Sequence, residues 1–369
     1  MHEGQCKVIN PLVPKLSLHD TSSQADTPSR HRFTIKPDCT MYRKEDQKVT
    51  GVVSHLAEFF VKFKFSTDDD PFHVEATQAV AQPVGSNNLE HFLTCQNANR
   101  RHVLDQLGSY AAFHIDSQLR THSFLVLIIN QYARLMRWDR GGVVFTERIY
   151  YNTEPELVEF FEYYNIASPE VRGSNSIVEN LSSDALSAIP GTTDESKTFL
   201  AVSLDNKTLH AQPHRYIIPS PFIRPSLPFG RCTRTSSAYD VQNKKHVYMK
   251  AFWRIISNDS DIKEAKVYQE LNRNGVRNIP HCVDFCDFED EYHQTQTHSF
   301  AKQYWVPQEY QYSISSRRLH CLILDPQGTK LEDFTCSREM VRAIRAAIIG
   351  TGLPGCDFIC QMLTLTCVL

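Results

Sequence analysis

The sequence predicts an α+β protein with two folded domains. Residues 124–148 contain three runs rich in β-branched and aromatic residues, joined by short turns, and this pattern is typical of an antiparallel meander. Apolar residues at helical spacing flank the meander on both sides. From about residue 216, strand patterns surround one short helical segment. This second region predicts an antiparallel sheet with one helix.

Composition and charge narrow the classes of protein to consider. The chain has 369 residues, of which 41% are hydrophobic and 22% charged, and its formal net charge is -3. That charge argues against binding of nucleic acid or of an anionic membrane. No apolar run approaches the roughly 18 residues that span a bilayer, and residues 1–15 lack a signal-peptide stretch. We therefore expect a cytoplasmic or nuclear protein with no nucleic-acid or membrane partner; its protein partner or substrate is unknown.

The cysteines do not form a metal-binding or disulfide pattern. There are 11 of them, an odd number, without a CxxC pair. Cys282 and Cys286 are four residues apart, but no set of His or Cys residues completes a zinc-type spacing. We expect reduced thiols, and we identify no metal site.

Composition and pattern divide the chain into five stretches. Residues 1–50 are polar and aperiodic, which predicts a disordered segment. An α+β domain is expected over 51–190, a linker over 191–215, the second domain over 216–349 and an atypical tail over 350–369.

Within the first domain, a strand is predicted over 61–65 and a helix over 98–118. Strands over 124–129, 132–138 and 143–148 form the meander, and a helix follows over 154–164.

The turn after the second meander strand carries Arg137, Asp139 and Arg140 around Trp138. One interpretation is structural, with Asp139 paired to an arginine. A second is a binding surface for a partner or a phosphorylated ligand. A nuclease-like fold is the least favoured interpretation. Such enzymes need a carboxylate beside the strand lysine, whereas the stretch Lys62-Phe63-Lys64 is basic at that position.

The chemistry of the second domain begins at Gly230. Residues 230–240 stand where a glycine-rich phosphate-binding loop would lie, but Cys232 and Thr235 occupy the second and third glycine positions of a G-x-G-x-x-G pattern. An ordinary hairpin turn is the competing interpretation of this stretch.

The next strand, over 246–253, contains Lys250 directly after Met249, as in a V-A-I-K element. A helix then runs from about Asp261 to Leu271, and Glu264 lies on its apolar face. A carboxylate on a packed face needs a partner, and Lys250 is the candidate. The alternative is that Glu264 belongs to a capping box that Asp261 begins.

At this point the chain resembles the fungal-type protein kinases, a divergent branch of the protein-kinase fold. Residues 134–142 are similar to the family's R-L-x-R-W-D-R-x-G signature, and residues 230–234 to its G-R-G-T-R loop, with Cys232 in place of the second glycine. Strands are also predicted over 279–285 and 320–326. Residues 322–331, followed by Phe334 and residues 337–341, resemble the family's hinge and the helix after it, and that helix is predicted over 337–349.

The resemblance implies a protein-kinase-like N-lobe that transfers phosphate from ATP, with Mg²⁺, to Ser or Thr hydroxyls. It implies that Lys250 and Glu264 are catalytic residues. It implies that ATP is bound by Gly230, Thr233, Lys250, Leu324 and Gln327.

The end of the chain departs from that family. An H-R-D catalytic loop and a D-[FY]-G metal-binding motif should follow the helix over 337–349, but residues 350–369 contain no histidine or arginine, and their lone acid is Asp357. We therefore expect a chain truncated before the catalytic loop and catalytically incomplete, with only the start of a C-lobe and exposed apolar residues on that helix. The alternative is a non-catalytic interaction module or pseudokinase fragment.

Overall fold

The computed structural model describes residues 2–23, 25, 35–46, 52–72, 97–181, 199–206, 209–219, 227–256, 264–306, 314–326 and 333–351. The fold is α+β, as predicted. The chain forms two compact units, each made from three separate stretches. The first comprises Met1–Asn175, Pro221–Cys232 and Asp290–Arg317, and the second comprises Ser176–Ser220, Thr233–Glu289 and Arg318–Leu369.

The first unit contains a six-stranded sheet whose strands follow chain order. The strands are β1 (Leu16–Asp20), β2 (Cys39–Arg43), β3 (Phe59–Lys64), β4 (His122–Ile129), β5 (Tyr132–Asp139) and β6 (Gly142–Phe145). Strands β3 and β4 pair in parallel, whereas the other neighbours are antiparallel. The predicted meander is therefore confirmed as β4, β5 and β6.

Helices cover both faces of this sheet. They are α1 (His2–Ile9), α2 (Ala98–Ser117) and α3 (Glu156–Ile166). In β4, Leu125 and Leu127 pack in one apolar cluster with residues of α2, while Val126 and Ile128 pack in another with residues of α1 and α3. A strand buried on both faces has no polar side, which explains why β4 reads as a continuous apolar run.

The prediction of disorder for residues 1–50 is wrong for the part of this stretch that the structure describes. Helix α1 and strands β1 and β2 occupy this stretch, and Leu16, Leu18 and Met41 are buried. The strands are only five residues long, so their alternation is too brief to stand out from a polar background. Their stability comes from packing against β3 and α3 rather than from a local pattern.

The R-L-M-R-W-D-R-G-G turn is a centre of buried charge in the first unit. Its three arginines each contact a carboxylate: Arg134 with Asp70 at 2.9 Å, Arg137 with Asp139 at 2.7 Å and Arg140 with Asp116 at 2.6 Å. All three carboxylates are buried. The predicted pairing of Asp139 with an arginine is therefore confirmed, and the binding-surface interpretation of this turn stays a prediction.

Asp139 connects the meander to a distant part of the chain. Its Oδ1 accepts hydrogen bonds from the Gly141 N–H at 2.7 Å and the Thr297 hydroxyl at 2.8 Å. Its Oδ2 accepts from the backbone N–H groups of Gln296 and Thr297 at 2.8 and 3.1 Å, in addition to Arg137. One carboxylate thus attaches residues 296–297 to the β5–β6 turn.

Arg140 attaches a third stretch of the first unit to the same turn. Its Nη1 donates to the Pro228 carbonyl at 3.1 Å and lies 3.2 Å from Cys232 Sγ. The Arg140 carbonyl in turn accepts from the Gly230 N–H at 2.8 Å. Since Asp116 binds the other end of this guanidinium, the segment at 228–232 is held by an arginine whose own position is set by a buried carboxylate.

The second unit contains a seven-stranded sheet in the order β12-β13-β11-β10-β9-β8-β7. The strands are β7 (Val178–Asn180), β8 (Phe199–Leu204), β9 (His214–Pro219), β10 (Arg234–Asp240), β11 (Lys245–Ile255), β12 (His281–Asp287) and β13 (Arg317–Asp325). The pairs β7–β8, β8–β9, β9–β10, β10–β11 and β12–β13 are antiparallel.

The described part of the second unit also contains two α-helices, α4 (Glu264–Arg273) and α5 (Ser337–Thr351). Helix α4 packs through Ala265 and Tyr268 against Phe252 of β11 and Leu322 of β13. Helix α5 exposes Val341, Ile344 and Ile349, as expected for its apolar face. Among the described residues, no helix combines the length and the apolar character needed to cross a membrane.

The Asp139 cluster leads to a stability prediction. Asp139→Ala removes the acceptor for three backbone N–H groups and leaves the Arg137 guanidinium unpaired, so we expect a loss of about 3–5 kcal/mol in the free energy of unfolding. Urea unfolding followed by far-ultraviolet circular dichroism measures this loss. The exposed Asp68→Ala serves as control and should cost less than about 0.5 kcal/mol. Equal losses in the two variants would contradict the role assigned to Asp139.

Candidate active site in the second unit

Lys250 and Glu264 form the ion pair that the sequence predicted. Lys250 Nζ lies 2.5 Å from Glu264 Oε1, and their side chains are only 5% and 10% exposed. Lys250 occupies the middle of β11, opposite Thr235 of β10, and Glu264 begins α4. Strand and helix therefore bring two oppositely charged groups together inside a packed lobe. Asp261, the proposed start of a capping box, lies outside the described residues.

The local sequence explains why both charges point inward. In β11, Met249, Lys250 and Phe252 are all buried, and Lys250 Nζ lies 5.4 Å from the centre of the Phe252 ring. In α4, Glu264 precedes Tyr268 by one helical turn and therefore shares its buried face. The Phe252 ring adds a cation–π contact to the ion pair on the lysine side.

The surroundings of the pair are apolar and poor in solvent. Cys282 of β12 packs against the cluster that contains Phe252 and Tyr268. Burial, Asp284 and Glu264 together raise the pKa of the Cys282 thiol to about 12, so this cysteine is protonated at neutral pH. A neutral thiol adds no second negative charge beside Glu264.

The glycine loop departs from a phosphate-binding loop in its details. Gly230 has φ +106° and Cys232 has φ +44°. A Cβ atom placed on Gly230 would have no neighbour within 4 Å, so a side chain would fit there. Glycine is favoured instead by the positive φ angle, which other residues rarely adopt. Cys232 adopts a left-handed conformation at the position where the similar loop has a glycine, and its thiol approaches Arg140. Both residues belong to the first unit.

The other predicted nucleotide-binding residues lie at separate positions of the second unit. Thr233 is exposed and directly precedes β10. Leu324 is buried in β13, where it packs with Phe252 and Tyr268, so its side chain belongs to the core. Gln327 lies outside the described residues. The structure therefore brings Lys250 and Glu264 into direct contact, and their roles, like those of the nucleotide-binding residues, stay predictions.

Sequence reasoning missed two groups of polar residues. Gln296 and Thr297, which bind Asp139, lie in a stretch that carries no periodic pattern. Asp284, in β12, is 1% exposed and is surrounded by His210, His214 and Tyr216. One signal in the sequence could have identified Asp284. It lies between Val283 and Phe285 in an apolar strand, where a solvated aspartate is not expected.

Comparison with known proteins agrees with the fold and with these motifs. The model of the family described as fungal protein kinase matches residues 87–352. This range includes the meander, the arginine-rich turn, Lys250 and Glu264. No curated protein and no solved structure matches the chain. Because the match covers well over half of its residues, the chain belongs to the fungal protein kinase family.

Proposed function

We propose that the second unit binds ATP in the manner of a protein-kinase N-lobe. Lys250 would contact the α- and β-phosphates, and Glu264 would hold its ammonium group in place. The observation that supports this proposal most directly is the buried 2.5 Å contact between the two side chains. Protein kinases require a lysine–glutamate pair joining a strand to the following helix, and this chain has that pair in that order.

Energetics favour a functional role for this pair over a purely stabilising one. Removing two charges from water costs several kcal/mol per ion, and their attraction barely compensates, so apolar residues would stabilise the lobe equally well. The chain also contains a half-exposed counterpart, Lys245 with Asp325, at 2.5 Å and with side chains 40% and 32% exposed. A nearly dry lysine held by a carboxylate is preorganised to receive an anion, whereas solvent screens the half-exposed pair.

The remaining parts of the nucleotide site belong to the same proposal. Thr233 would contribute its main-chain N–H to the phosphates, whereas the N–H of Gly230 already donates to the Arg140 carbonyl within the first unit. Leu324 and Gln327 would contact the adenine from the strand and turn that follow, with Leu324 acting through its main chain because its side chain is in the core. Mg²⁺ would accompany ATP, but no ligand for that ion is assigned within this chain.

We further propose that these 369 residues bind nucleotide without transferring phosphate. Phosphoryl transfer needs a carboxylate that positions the acceptor hydroxyl and another that holds Mg²⁺. The lone acid of residues 350–369 is Asp357, with no histidine or arginine near it in sequence. Phosphorylation of Ser or Thr would then belong to a form that carries those motifs.

A non-catalytic interaction module or pseudokinase is the second candidate function. The observation in its favour is Cys232, which adds a side chain where the family-like loop has a glycine and whose thiol is directed to Arg140. A cytoplasmic or nuclear location and the absence of nucleic-acid and membrane partners stay predictions in both cases, and no protein partner or substrate is assigned.

The ATP proposal predicts a specific effect of Lys250→Met. Loss of its charge-assisted hydrogen bonds, at about 1.5–3 kcal/mol, should weaken ATP binding roughly 10- to 100-fold. Isothermal titration calorimetry with ATP, with and without Mg²⁺, measures the change. Lys266→Met, which removes an exposed lysine from the helix that carries Glu264, is the control and should leave affinity within about twofold. Equal affinities for the Lys250→Met variant and the original chain would refute nucleotide binding at this pair.

A double variant separates binding from stability. Lys250→Met alone leaves the Glu264 carboxylate buried without its ammonium partner and should lower the unfolding free energy by about 3–5 kcal/mol. Lys250→Met with Glu264→Leu should recover most of that stability, because both charges are gone, yet should not recover ATP binding. Urea unfolding and calorimetry on the same samples report the two quantities. Recovery of ATP binding in the double variant would assign the pair a structural role only.

The absence of phosphoryl transfer is also directly testable. Incubation of the 369-residue chain with γ-labelled ATP, Mg²⁺ and a general Ser/Thr substrate should label neither the chain nor the substrate above the level of Lys250→Ala. Losing the positioning carboxylate and the metal ligand removes about a thousandfold or more in rate. Labelling that Lys250→Ala abolishes would overturn the proposal of catalytic incompleteness.

A further inference from the structure

Helix α3 of the first unit has one face packed and one face exposed to solvent. Its packed face contributes Leu157, Phe161 and Tyr164 to an apolar cluster with residues of β3 and α1. The opposite face carries two large apolar side chains, Tyr163 and Ile166, that are 61% and 69% exposed. Single apolar residues on a surface are ordinary, whereas neighbouring ones indicate a binding surface. The spacing of these residues therefore decides whether they matter.

The exposed residues of α3 lie side by side along the helix. Val158, Glu162 and Ile166 follow one another at intervals of four residues and form one ridge. Glu159 and Tyr163 form a second ridge beside it. All five residues are exposed, and we call them the α3 outer face. This face combines apolar and acidic side chains in one continuous surface.

The negative charge of the α3 outer face is not balanced by basic residues nearby in the chain. Residues 149–171 contain five glutamates and no lysine or arginine. Within the part of the chain that the structure describes, neither Glu159 nor Glu162 takes part in an ion pair. The cation that would balance these carboxylates must therefore come from outside the helix.

The charges of the α3 outer face do not serve the stability of the helix. Glutamates in the first turn, such as Glu156, interact favourably with the helix dipole. Glu162 lies in the second half of the helix, and the last turn contains no basic residue. Glu159 and Glu162 are also three residues apart, where like charges repel each other. A cationic partner would relieve this repulsion.

A cavity at the N-terminal end of α3 extends the acidic surface. It has a volume of about 360 Å³, and the glutamates Glu147, Glu154 and Glu156 line it. Arg148 also lines the cavity, but its guanidinium lies 3.7 Å from the buried carboxylate of Asp70. Three carboxylates thus face one arginine that already has a buried counter-ion, and the cavity suits a positively charged side chain.

The cavity and the α3 outer face adjoin, because Glu156 is one helical turn before Glu159. Their charge repels nucleic acid, anionic membranes and the same face of a second copy of this chain. A segment that carries both cationic and apolar side chains is complementary to the face in charge and in polarity.

The ridge of Val158, Glu162 and Ile166 has the spacing along which a second helix packs. We propose that the α3 outer face binds a basic amphipathic helix of another protein, with one lysine or arginine of that helix in the cavity. The proposal does not depend on nucleotide binding by the second unit.

The test uses the full chain and a synthetic partner. The probe is a short fluorescein-labelled peptide of lysine and leucine, with leucine at helical spacing, and fluorescence anisotropy measures its binding. We expect affinity to fall at least about tenfold between about 0.01 M and about 1 M salt, because exposed charges are screened. A peptide with glutamate in place of each lysine should not bind. A peptide with serine in place of each leucine should bind at least about fivefold more weakly.

A charge variant locates the binding surface. Glu159→Gln combined with Glu162→Gln should weaken binding of the lysine–leucine peptide about tenfold. Asp68→Asn combined with Asp69→Asn removes the same total charge from another part of the first unit and is the matched control. The control should leave affinity within about twofold.

An apolar variant tests the second property of the α3 outer face. Tyr163→Ser should weaken binding of the lysine–leucine peptide at least about fivefold. Tyr304→Ser removes another exposed tyrosine of the first unit and is the matched control, which should leave affinity within about twofold. Thermal unfolding of each variant establishes that it is folded.

Several outcomes would overturn the proposal. It does not survive if the lysine–leucine peptide fails to bind, or if the glutamate–leucine peptide binds equally well. The same holds if the variants at Glu159, Glu162 and Tyr163 bind the peptide as the original chain does, or if the controls weaken binding to the same extent. A monomer–dimer equilibrium in sedimentation velocity that the double glutamate variant abolishes would assign the face to a second copy of this chain instead.

Discussion

The carboxylate of Asp139 is the contact on which the first unit depends. That unit is assembled from three stretches of chain, and apolar packing alone does not determine which loop lies against the β5–β6 turn. Asp139 does so by accepting hydrogen bonds from Gln296 and Thr297, while Arg140 binds the stretch around Gly230. A buried charge that is satisfied only by specific distant donors selects one arrangement, because every alternative leaves the charge unpaired.

The same principle separates the buried charges of this chain into two kinds. Asp139 is satisfied by a guanidinium and several N–H donors, and this arrangement makes it a structural residue. Lys250 differs, because its charge is balanced by the carboxylate of Glu264 and lies against the ring of Phe252. A lysine held in place by a carboxylate at the junction of strand and helix is the arrangement on which the ATP proposal rests.

Regular apolar patterns made part of the fold predictable. The meander, the helix over 98–117 and the strand that carries Lys250 each repeat apolar residues at a fixed period over many residues, so local sequence was sufficient. The Lys250–Glu264 contact was also predictable, because a carboxylate on the packed face of a helix requires a cation nearby. Strands β1 and β2 were not, since five residues of alternation are too few to distinguish from a polar coil. The interleaving of the two units has no local signature at all.

The sequence alone determined the α+β class, the family resemblance and the charged pair at Lys250 and Glu264. These follow from periodicity and from motifs whose residues are close together in the chain. Only the tertiary structure decided that Asp139 binds residues 157 and 158 positions away, and that Asp284 meets histidines from another strand and its preceding loop. The physical reason is that a buried polar group selects its partner by distance in space, and distance in space is set by the packing of whole strands and helices, not by the order of residues.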